Sequence, residues 1–370
     1  MIIVIDAYQA APHITGSDRL AYNMLRELQV LDQTNRYVVM VNAQHDFITQ
    51  SINAPNFRTY KVTARKRAIW LTFRLPFILL RLKADVFYSF HNLCSPGLKV
   101  CRTFVSLLDM IPVEKPDLYF GNSKLTLRRL IVTHIMHRSI KVADGFTAIS
   151  DYSKQVAVKQ LHLRPDNIQV IYLQADPQFF ASHSAIDLHD TSRRYKLPPE
   201  FILAIGASEP RKNVISAIAA HRLLAPELRR QFPLIIAGAK WHNKEVPLEN
   251  DPLIRLTGFI DDADLPRVYS LATVFVFPST YEGFGLPVLE AMASHTPVAS
   301  SNVTSLPEVA GDAALMFEPL DTLAISTALS KILSDYKLRD RLRHKGEGQV
   351  AKFSWAKSAA ELLSLLTNGA

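Results

Sequence analysis

The sequence predicts an α/β protein made of two domains, each with a parallel β-sheet covered by helices. Short apolar runs typical of buried parallel strands recur along the chain, and amphipathic helical stretches separate several of them. The runs occupy residues 2–6, 37–41, 86–88, 103–107, 145–149 and 168–172, then 201–206, 234–237, 254–256, 274–277 and 297–300. With 370 residues, 48% of them hydrophobic, the chain is long enough to bury two cores of ordinary size.

Composition narrows the class of protein. The two cysteines, Cys94 and Cys101, belong to no C-x-x-C pair, so we expect a reducing compartment without a disulfide framework or a zinc site. No charged segment precedes the first apolar run and no apolar run is long enough to span a bilayer. We therefore expect a cytoplasmic protein. The net charge of +8 permits an anionic partner, but motifs that bind nucleic acid are missing from the sequence.

Residues 282–293 read EGFGLPVLEAMA and follow the strand-like run at 274–277. This pattern predicts a turn from a buried strand into a helix whose first position is Pro287. Backbone N–H groups at the start of such a helix, together with the helix dipole, form a binding site for an anion such as phosphate. The N–H groups concerned are those of Phe284, Gly285 and Leu286.

Two carboxylates, Glu282 and Glu290, bracket this predicted phosphate site. Since carboxylates repel phosphate, we expect them to face neutral hydroxyl groups of the same ligand. Gly283 and Gly285 leave room for a ligand to touch the backbone. A nucleotide sugar, with a central diphosphate and a hydroxylated sugar at each end, fits this pattern. The alternative is a glycine-rich strand-to-helix turn with two surface glutamates.

A second motif follows the strand-like run at 201–206. After Gly206 the chain continues to Glu209-Pro210-Arg211-Lys212-Asn213, which places two cations side by side near the end of a strand. Arginine neutralises a diphosphate with a planar fork of N–H groups, and lysine does so as a point charge. The alternative is a pair of solvated charges in a loop.

The two motifs resemble those of retaining glycosyltransferases of family 4 with the GT-B fold, also called glycosyl transferases group 1. The form E-P-R-K-N resembles bacterial mannosyltransferases that use GDP-mannose to build the O-antigens of lipopolysaccharide and exopolysaccharides; users of UDP- and TDP-sugars have close variants. The resemblance implies two Rossmann-like domains that face a central cleft. It implies an N-terminal acceptor-side domain at 1–174, a donor-binding domain at 175–350, and a last helix at 351–370 packing back toward the first domain.

The resemblance also implies roles for individual residues. Glu282 contacts the donor sugar, Glu290 contacts the ribose, and Arg211 and Lys212 stabilise the leaving diphosphate. The nucleotide sugar is a substrate, and neither a cofactor nor a metal is expected. The residues expected to bind the donor are Gly16, Gly206, Arg211, Lys212, Phe259, Glu282, Gly283, Phe284, Gly285, Leu286 and Glu290. Those expected to act in catalysis are Asp109, Arg211, Lys212 and Glu282.

The acceptor side matches the family pattern less completely. Related enzymes often read His-Asp-x-x-Pro after a buried strand; here Asp109 and Pro112 match, but Leu108 stands at the histidine position. We expect the Asp109 carboxylate to face the cleft, with a helix cap or turn residue as the alternative. His91 ends another strand and is a second candidate for the cleft, with a loop or core histidine as the alternative.

A D-x-D triplet at 262–264 would bind a metal in a GT-A enzyme. Because a helix-like segment beginning with Leu265-Pro266 follows it directly, helix capping is the favoured interpretation here.

Residues 65–83 are basic, aromatic and strongly apolar, and a second basic helix is predicted over 124–141. The composition suits peripheral contact with an anionic membrane, and a core helix with solvated basic residues is the alternative. The acceptor is expected to be a lipid-linked or polysaccharide intermediate at the inner membrane face. Two rival functions remain: a nucleotide-sugar 2-epimerase and a non-catalytic relative that binds nucleotide or membrane.

Overall fold

The computed structural model of the chain describes residues 1–8, 15–45, 47–63, 67–92, 96–120, 127–206, 209–238 and 251–368. The chain folds as two units. Unit 1 comprises Met1–Leu173 together with Ser354–Ala370, and unit 2 comprises Gln174–Phe353. Cys94 and parts of the two predicted basic segments, residues 65–66 and 124–126, lie outside the described residues.

Within the described part of unit 1, seven strands form one sheet in which every neighbouring pair is parallel. The strand order is β3-β2-β1-β4-β5-β6-β7. The strands are β1 (Ile2–Asp6), β2 (Arg36–Asn42), β3 (Phe57–Val62), β4 (Val86–Asn92), β5 (Arg102–Leu107), β6 (Gly145–Ala148) and β7 (Ile168–Val170). Val4, Phe87 and Val105 of the central strands are fully buried because helices cover the sheet.

The helices of unit 1 connect consecutive strands. They are α1 (Gly16–Leu31), α2 (Phe47–Gln50), α3 (Arg67–Ile69), α4 (Leu75–Leu82), α5 (Ile111–Glu114), α6 (Pro116–Phe120), α7 (Leu127–Val142) and α8 (Asp151–Leu161). Thr15 caps α1 by accepting the N–H of Asp18, whose carboxylate accepts the N–H of Thr15 in return. This reciprocal pair fixes the start of the first helix after β1.

A π-helical segment, Trp70–Arg74, joins α3 and α4 into one continuous helix. The N–H of Leu75 donates to the carbonyl of Trp70, which is the hydrogen bond of a π turn. Trp70, Leu75 and Leu79 bury one face of this helix against the sheet. No helix in the described ranges combines the length and the apolar character needed to cross a bilayer.

Unit 2 holds a second parallel sheet, of six strands in its described part, with the order β10-β9-β8-β11-β12-β13. The strands are β8 (Ile202–Ile205), β9 (Leu234–Ala237), β10 (Ile254–Gly258), β11 (Val274–Phe277), β12 (Val298–Ser301) and β13 (Ala314–Phe317). The helices are α9 (Ala185–Tyr195), α10 (Val214–Arg222), α11 (Pro226–Gln231), α12 (Leu265–Leu271), α13 (Leu286–Ala293), α14 (Leu306–Ala310), α15 (Thr322–Ser334) and α16 (Tyr336–Val350). Ser184 caps α9 by accepting the N–H of Asp187.

The last helix, α17 (Trp355–Thr367), belongs to unit 1, where it packs on α1. Trp355, Leu362 and Leu366 are buried on its inner face. Ser358 donates a hydrogen bond of 2.6 Å to the carbonyl of Tyr172, so the start of this helix is tied to the chain segment that follows β7.

The prediction of two parallel sheets covered by helices is confirmed, and it missed two strands. β3 and β13 are both edge strands. The exposed positions of β3, such as Arg58 and Lys61, carry polar side chains, so this strand has no continuous apolar run. Edge strands are paired on one side only, and the sequence of β3 therefore carries a weaker signal than those of central strands. β13 is a run of four apolar residues that was missed in spite of its composition.

Candidate functional site

Both motifs of unit 2 follow the two strands between which the strand order reverses. β8 is flanked by β9 on one side and by β11 on the other. Arg211 and Lys212 follow β8, and Glu282 follows β11. Ligands of open parallel sheets bind beyond the carboxyl ends of the strands at such a reversal. The topology therefore brings together two motifs that lie 70 residues apart in the sequence.

Glu282 is the centre of an ion-paired cluster. One carboxylate oxygen lies 2.8 Å from Nζ of Lys212, and the other lies 2.7 Å from a guanidinium nitrogen of Arg211. The hydroxyl of Ser279 donates a third hydrogen bond of 2.7 Å to this carboxylate. Burial by itself raises the pKa of Glu282, but the charges of Lys212 and Arg211 outweigh burial and hold that pKa below its ordinary value. The Glu282 side chain is therefore ionised.

Glu209 is a second carboxylate bound to Arg211. Its Oε2 lies 2.6 Å from the other terminal guanidinium nitrogen, and its side chain is half exposed whereas that of Glu282 is buried. Two carboxylates and two cations thus balance each other within this cluster. Arg211 and Lys212 were predicted to contact a diphosphate, and Glu282 was predicted to contact sugar hydroxyls. In the structure, Glu282 also contacts both cations.

Gly206 positions Lys212. Its φ angle of +88° lies in the left-handed region that favours glycine, and a Cβ atom there would come within 2.5 Å of Cγ of Lys212. The Lys212 stem therefore packs directly over the Gly206 backbone, while its ammonium group lies 4.7 Å from the centre of the Phe277 ring. The side chain of Lys212 is therefore the group that lies closest to Gly206.

The turn from β11 into α13 is held rigidly. The hydroxyl of Ser305 donates to the carbonyls of Glu282 and Phe284, at 3.0 and 2.7 Å. The N–H of Glu282 donates to the hydroxyl of Thr304 at 3.1 Å. Gly285 caps α13 with a φ of +115°, where a Cβ atom would lie 2.6 Å from Leu306. The left-handed φ therefore favours glycine here, and a larger residue would also have to displace the end of the Leu306 side chain.

One detail of the predicted helix start was wrong. α13 begins at Leu286, so Pro287 occupies the second helical position and not the first. Proline is tolerated there too, because the N–H groups of the first helical turn have no partner inside the helix. The side chain of Phe284 is buried and packs edge-on against the Phe353 ring, with the centroids 5.7 Å apart.

The other residues of unit 2 that were predicted to bind the donor lie in different surroundings. Glu290 is buried in α13, and the hydroxyl of Tyr269 donates to it at 3.3 Å. Phe259 follows β10 and is largely exposed. Since β9 separates β10 from β8, we expect about 10 Å between the ends of β8 and β10. The Phe259 ring is thus at the same edge of the sheet as Lys212 but away from the ion-paired cluster.

Two predicted residues belong to unit 1. Asp109 follows β5, and its carboxylate accepts the N–H of Ile111 at 3.3 Å. Asn92 of β4 accepts the N–H of Leu108 and donates to the carbonyl of Asp109, which ties the ends of the two strands together. Gly16 is the first residue of α1 and is exposed, with open space where a side chain would begin.

The D-x-D triplet agrees with the capping prediction in the position of Asp264 but not in its hydrogen bonding. Asp264 occupies the N-cap position of α12, but its side chain makes no capping hydrogen bond. Its carboxylate instead accepts hydrogen bonds from Arg194 at 2.6 Å, Arg267 at 2.8 Å and the hydroxyl of Tyr195 at 3.0 Å. Within the described ranges, no three His, Cys, Asp or Glu side chains are grouped so as to hold a metal ion.

Three residues that the sequence analysis missed support the site: Ser279, Thr304 and Ser305. They lie in the loops after β11 and β12, and each contacts Glu282 through a hydroxyl group. A lone serine or threonine in a loop carries no distinctive sequence signal. Only their position near a strand end could have suggested a role.

Comparison with known proteins places this site in a family context. Residues 188–349 match the family described as glycosyl transferases group 1. Over 236 residues the chain is 35% identical to O-antigen chain mannosyltransferase B of Escherichia coli, a match that covers 62% of this chain and 62% of that protein. Over 265 residues it is 34% identical to the serotype-specific mannosyltransferase WbdA of Escherichia coli, which covers 68% of this chain and 31% of that protein. The chain spans less than two thirds of the length of either relative.

A solved structure with a similar fold is that of sucrose-phosphate synthase from Thermosynechococcus elongatus. The TM-score is 0.76 and the alignment covers 98% of both chains, at 18% sequence identity. At this identity the likeness concerns the fold: two Rossmann-like domains of the GT-B type.

Proposed function

We propose that this chain, in which residues 188–349 form a domain of the glycosyl transferases group 1 family, transfers a sugar from a nucleoside diphosphate to an acceptor hydroxyl group. The observation that carries the proposal is the cluster of Arg211, Lys212 and Glu282 beyond the carboxyl ends of β8 and β11. It places two cations at the point of the sheet where an anionic ligand is expected.

The cations stabilise the departing diphosphate. An ammonium group has three N–H donors and a guanidinium group has five, so Lys212 and Arg211 can hold a diphosphate while they keep Glu282. Negative charge develops on the diphosphate as the bond to the anomeric carbon breaks, and pre-positioned cations lower the free energy of that transition state. The acceptor oxygen attacks the same face of the sugar, its proton passes to the leaving diphosphate, and the configuration is retained.

Glu282 and Glu290 recognise neutral parts of the donor in this proposal. Lys212 and Arg211 neutralise the Glu282 carboxylate, which can then accept a hydrogen bond from a sugar hydroxyl without repelling the nearby phosphates. Glu290 is assigned to the ribose and Phe259 to the nucleobase. No metal ion is required, since the two cations and the start of α13 carry the diphosphate charge.

GDP-mannose is the proposed donor, and a lipid-linked or polysaccharide intermediate of O-antigen or exopolysaccharide synthesis is the proposed acceptor. Support comes from the names of the two relatives that are 34–35% identical, both of which are mannosyltransferases and one of which acts on an O-antigen chain. In this proposal the two cations of the cluster contact the diphosphate, a group that all nucleotide sugars share.

The test is a donor panel assayed for release of nucleoside diphosphate, with octyl α-D-mannopyranoside as acceptor. GDP-mannose, UDP-glucose, UDP-N-acetylglucosamine and TDP-glucose are compared with and without EDTA. We expect acceptor-dependent release of GDP that EDTA leaves unchanged. Conversion of UDP-N-acetylglucosamine without an acceptor would instead indicate an epimerase, and binding without turnover of any donor would indicate a non-catalytic relative.

The helix from Arg67 to Leu82 carries a second part of the proposal, contact with an anionic membrane. Its outer face presents apolar side chains at spacings of three and four residues, each more than half exposed: Ile69, Phe73, Phe77 and Leu80. Arg74, Arg81 and Lys83 are exposed beside them. An exposed apolar stripe with flanking cations is typical of a helix that lies in the plane of a membrane surface.

Replacing both exposed rings, in a Phe73→Ser/Phe77→Ser variant, is expected to weaken binding to vesicles that contain phosphatidylglycerol at least tenfold. Each ring removed from the bilayer loses about 1.5–3 kcal/mol of burial free energy. Co-sedimentation with vesicles measures the effect. A Leu320→Ser/Leu323→Ser variant removes equally exposed apolar side chains from unit 2 and should bind like the wild type. Equal binding of all three proteins would contradict membrane contact through this helix.

Glu209 is expected to oppose nucleotide binding. Its carboxylate occupies one terminal nitrogen of Arg211, so a diphosphate has to compete with it for that donor. A Glu209→Gln variant should therefore bind GDP about three- to tenfold more tightly, a gain of about 1 kcal/mol for an exposed ion pair. Calorimetric titration measures the affinity, and Glu227→Gln, which removes the same charge from α11, is the control. Unchanged or weaker GDP binding in Glu209→Gln would refute the competition.

A further inference from the structure

Unit 1 has its own reversal of strand order, between β1 and β4. β2 and β3 follow β1 on one side, while β5, β6 and β7 follow β4 on the other. Asp6, the last residue of β1, is paired with Ser89 of β4 at this point. Crevices beyond such a reversal are where open parallel sheets bind their ligands. We therefore expect a ligand of unit 1 to bind at the carboxyl ends of β1 and β4.

A β-bulge interrupts β4 directly after Ser89. Ser89 is paired with Val105, but Asn92 is paired with the next residue of β5, Ser106, so that Phe90 and His91 are extra residues in the ladder. A bulge of this kind redirects a side chain and occurs frequently beside functional sites. Here Phe90 is fully buried and His91 is left at the end of the strand.

The imidazole of His91 has one nitrogen with a partner and one without. The ring forms a hydrogen bond with the backbone of Tyr8. Nε2 is shielded from water and has no hydrogen-bond partner in the described part of the chain. A shielded polar atom without a partner is destabilising, and it is a common mark of a place that a ligand completes.

The surroundings keep this ring neutral. Burial, and then the charge of Arg67, lower the pKa of His91 to about 4, against the opposing effect of Asp6 and Asp18. Because Nε2 has no partner, we assign the contact with the Tyr8 backbone, and with it the ring proton, to Nδ1. In this tautomer the lone pair of Nε2 is a hydrogen-bond acceptor. What is missing at Nε2 is therefore a donor such as a hydroxyl group.

Asp6 and Arg67 form an ion pair beside His91. The buried carboxylate of Asp6 lies 2.5 Å from a guanidinium nitrogen of Arg67 and accepts the hydroxyl of Ser89 at 3.2 Å. The Arg67 guanidinium also lies over the Tyr8 ring, 4.4 Å from its centre. The Asp6 carboxylate offsets the charge of Arg67, which makes this place less suited to a phosphate than an unpaired guanidinium would be. The site suits the neutral, hydroxylated part of a ligand.

We propose that Nε2 of His91 accepts a hydrogen bond from a hydroxyl group of the sugar acceptor, bound to unit 1 at the carboxyl ends of β1 and β4. The inference rests on the proposed transfer reaction and assigns the acceptor a contact in unit 1. His91 positions the acceptor by binding one of its hydroxyl groups, and the transferred proton still goes to the leaving diphosphate.

The test compares His91→Phe, which removes the acceptor atom but keeps a ring, with His91→Gln, whose side-chain oxygen can take the place of Nε2. With octyl α-D-mannopyranoside as acceptor, His91→Phe should raise the acceptor KM about tenfold, the typical effect of one lost hydrogen bond. Affinity for GDP should be unchanged, and His91→Gln should recover most of the loss. His134→Phe, which alters an exposed histidine of α7, is the control.

A direct measurement separates this inference from the proposed function. In the full chain with ¹⁵N-labelled histidine, the Nε2 resonance of His91 should shift on addition of the mannoside alone, since a new hydrogen bond changes the shielding of the unprotonated nitrogen. An unaltered acceptor KM in His91→Phe, or an unmoved resonance at saturating mannoside, overturns the inference. Failure of the wild type to bind GDP or any nucleotide sugar overturns the proposed function. The Nε2 resonance would still show whether the mannoside contacts His91.

Discussion

A Lys212→Met variant is expected to lower kcat/KM for the nucleotide-sugar donor about 10²- to 10³-fold, the usual effect of removing one group that stabilises developing negative charge. Methionine keeps most of the length of the stem that packs over Gly206. Glu282 retains Arg211 and Ser279 as partners in the variant. The loss should therefore fall on the leaving diphosphate and not on the fold of unit 2.

Steady-state kinetics with GDP-mannose and calorimetric titration with GDP measure the two parts of this effect. A fall in kcat that exceeds the fall in GDP affinity indicates stabilisation of the transition state beyond ground-state binding. Lys337→Met, which removes an exposed lysine from α16, is the matched control and should behave like the wild type. A Lys212→Met enzyme with wild-type kinetics would remove Lys212 from the mechanism.

A Glu282→Gln variant is expected to destabilise unit 2 by about 3 kcal/mol, because it leaves the buried ammonium group of Lys212 without its carboxylate. GDP should restore more stability to the variant than to the wild type, since its diphosphate supplies the missing negative charge.

The stability that Glu282 contributes also depends on pH. The pKa of Glu282 in the folded protein lies below the ordinary value of 4.5, so its ion pairs contribute fully above that pH. Their contribution is lost as the pH falls through the folded-state pKa.

Denaturant unfolding of wild type and variant, with and without GDP, measures these differences. The wild type should lose stability more steeply than Glu282→Gln as the pH falls below 4.5. Glu227→Gln, at an exposed position in α11, controls for the loss of one negative charge from unit 2. If Glu282→Gln is as stable as the wild type and gains nothing extra from GDP, the cluster contributes neither stability nor an anion site.

Much of the fold followed from local patterns. Continuous apolar runs such as 274–277 predict strands that are buried on both faces, and β11 is such a strand. The same reasoning missed β3, where Arg58 and Lys61 interrupt the apolar pattern at the edge of the sheet. It also cannot detect the π turn at Trp70–Arg74, since a π turn differs from an α-helix in hydrogen bonding and not in composition.

The candidate site was predicted residue by residue, but its internal contacts were not. The motifs after β8 and β11 named Arg211, Lys212 and Glu282 from the chemistry of diphosphate and sugar. That Glu282 forms ion pairs with both cations depends on two loops meeting at one edge of the sheet. The supporting hydroxyl groups of Ser279 and Ser305 depend on the same meeting.

The sequence by itself determined most of the strands, the two motifs of unit 2 and their chemical class, because each depends on neighbouring residues and on side-chain type. Tertiary structure alone decided which side chains contact each other. The pairing of Asp6 with Arg67, and the placing of His91 at a bulge beside them, join residues from three separate segments. No local pattern encodes such contacts, since strand register and helix packing set the distances between segments far apart in the chain.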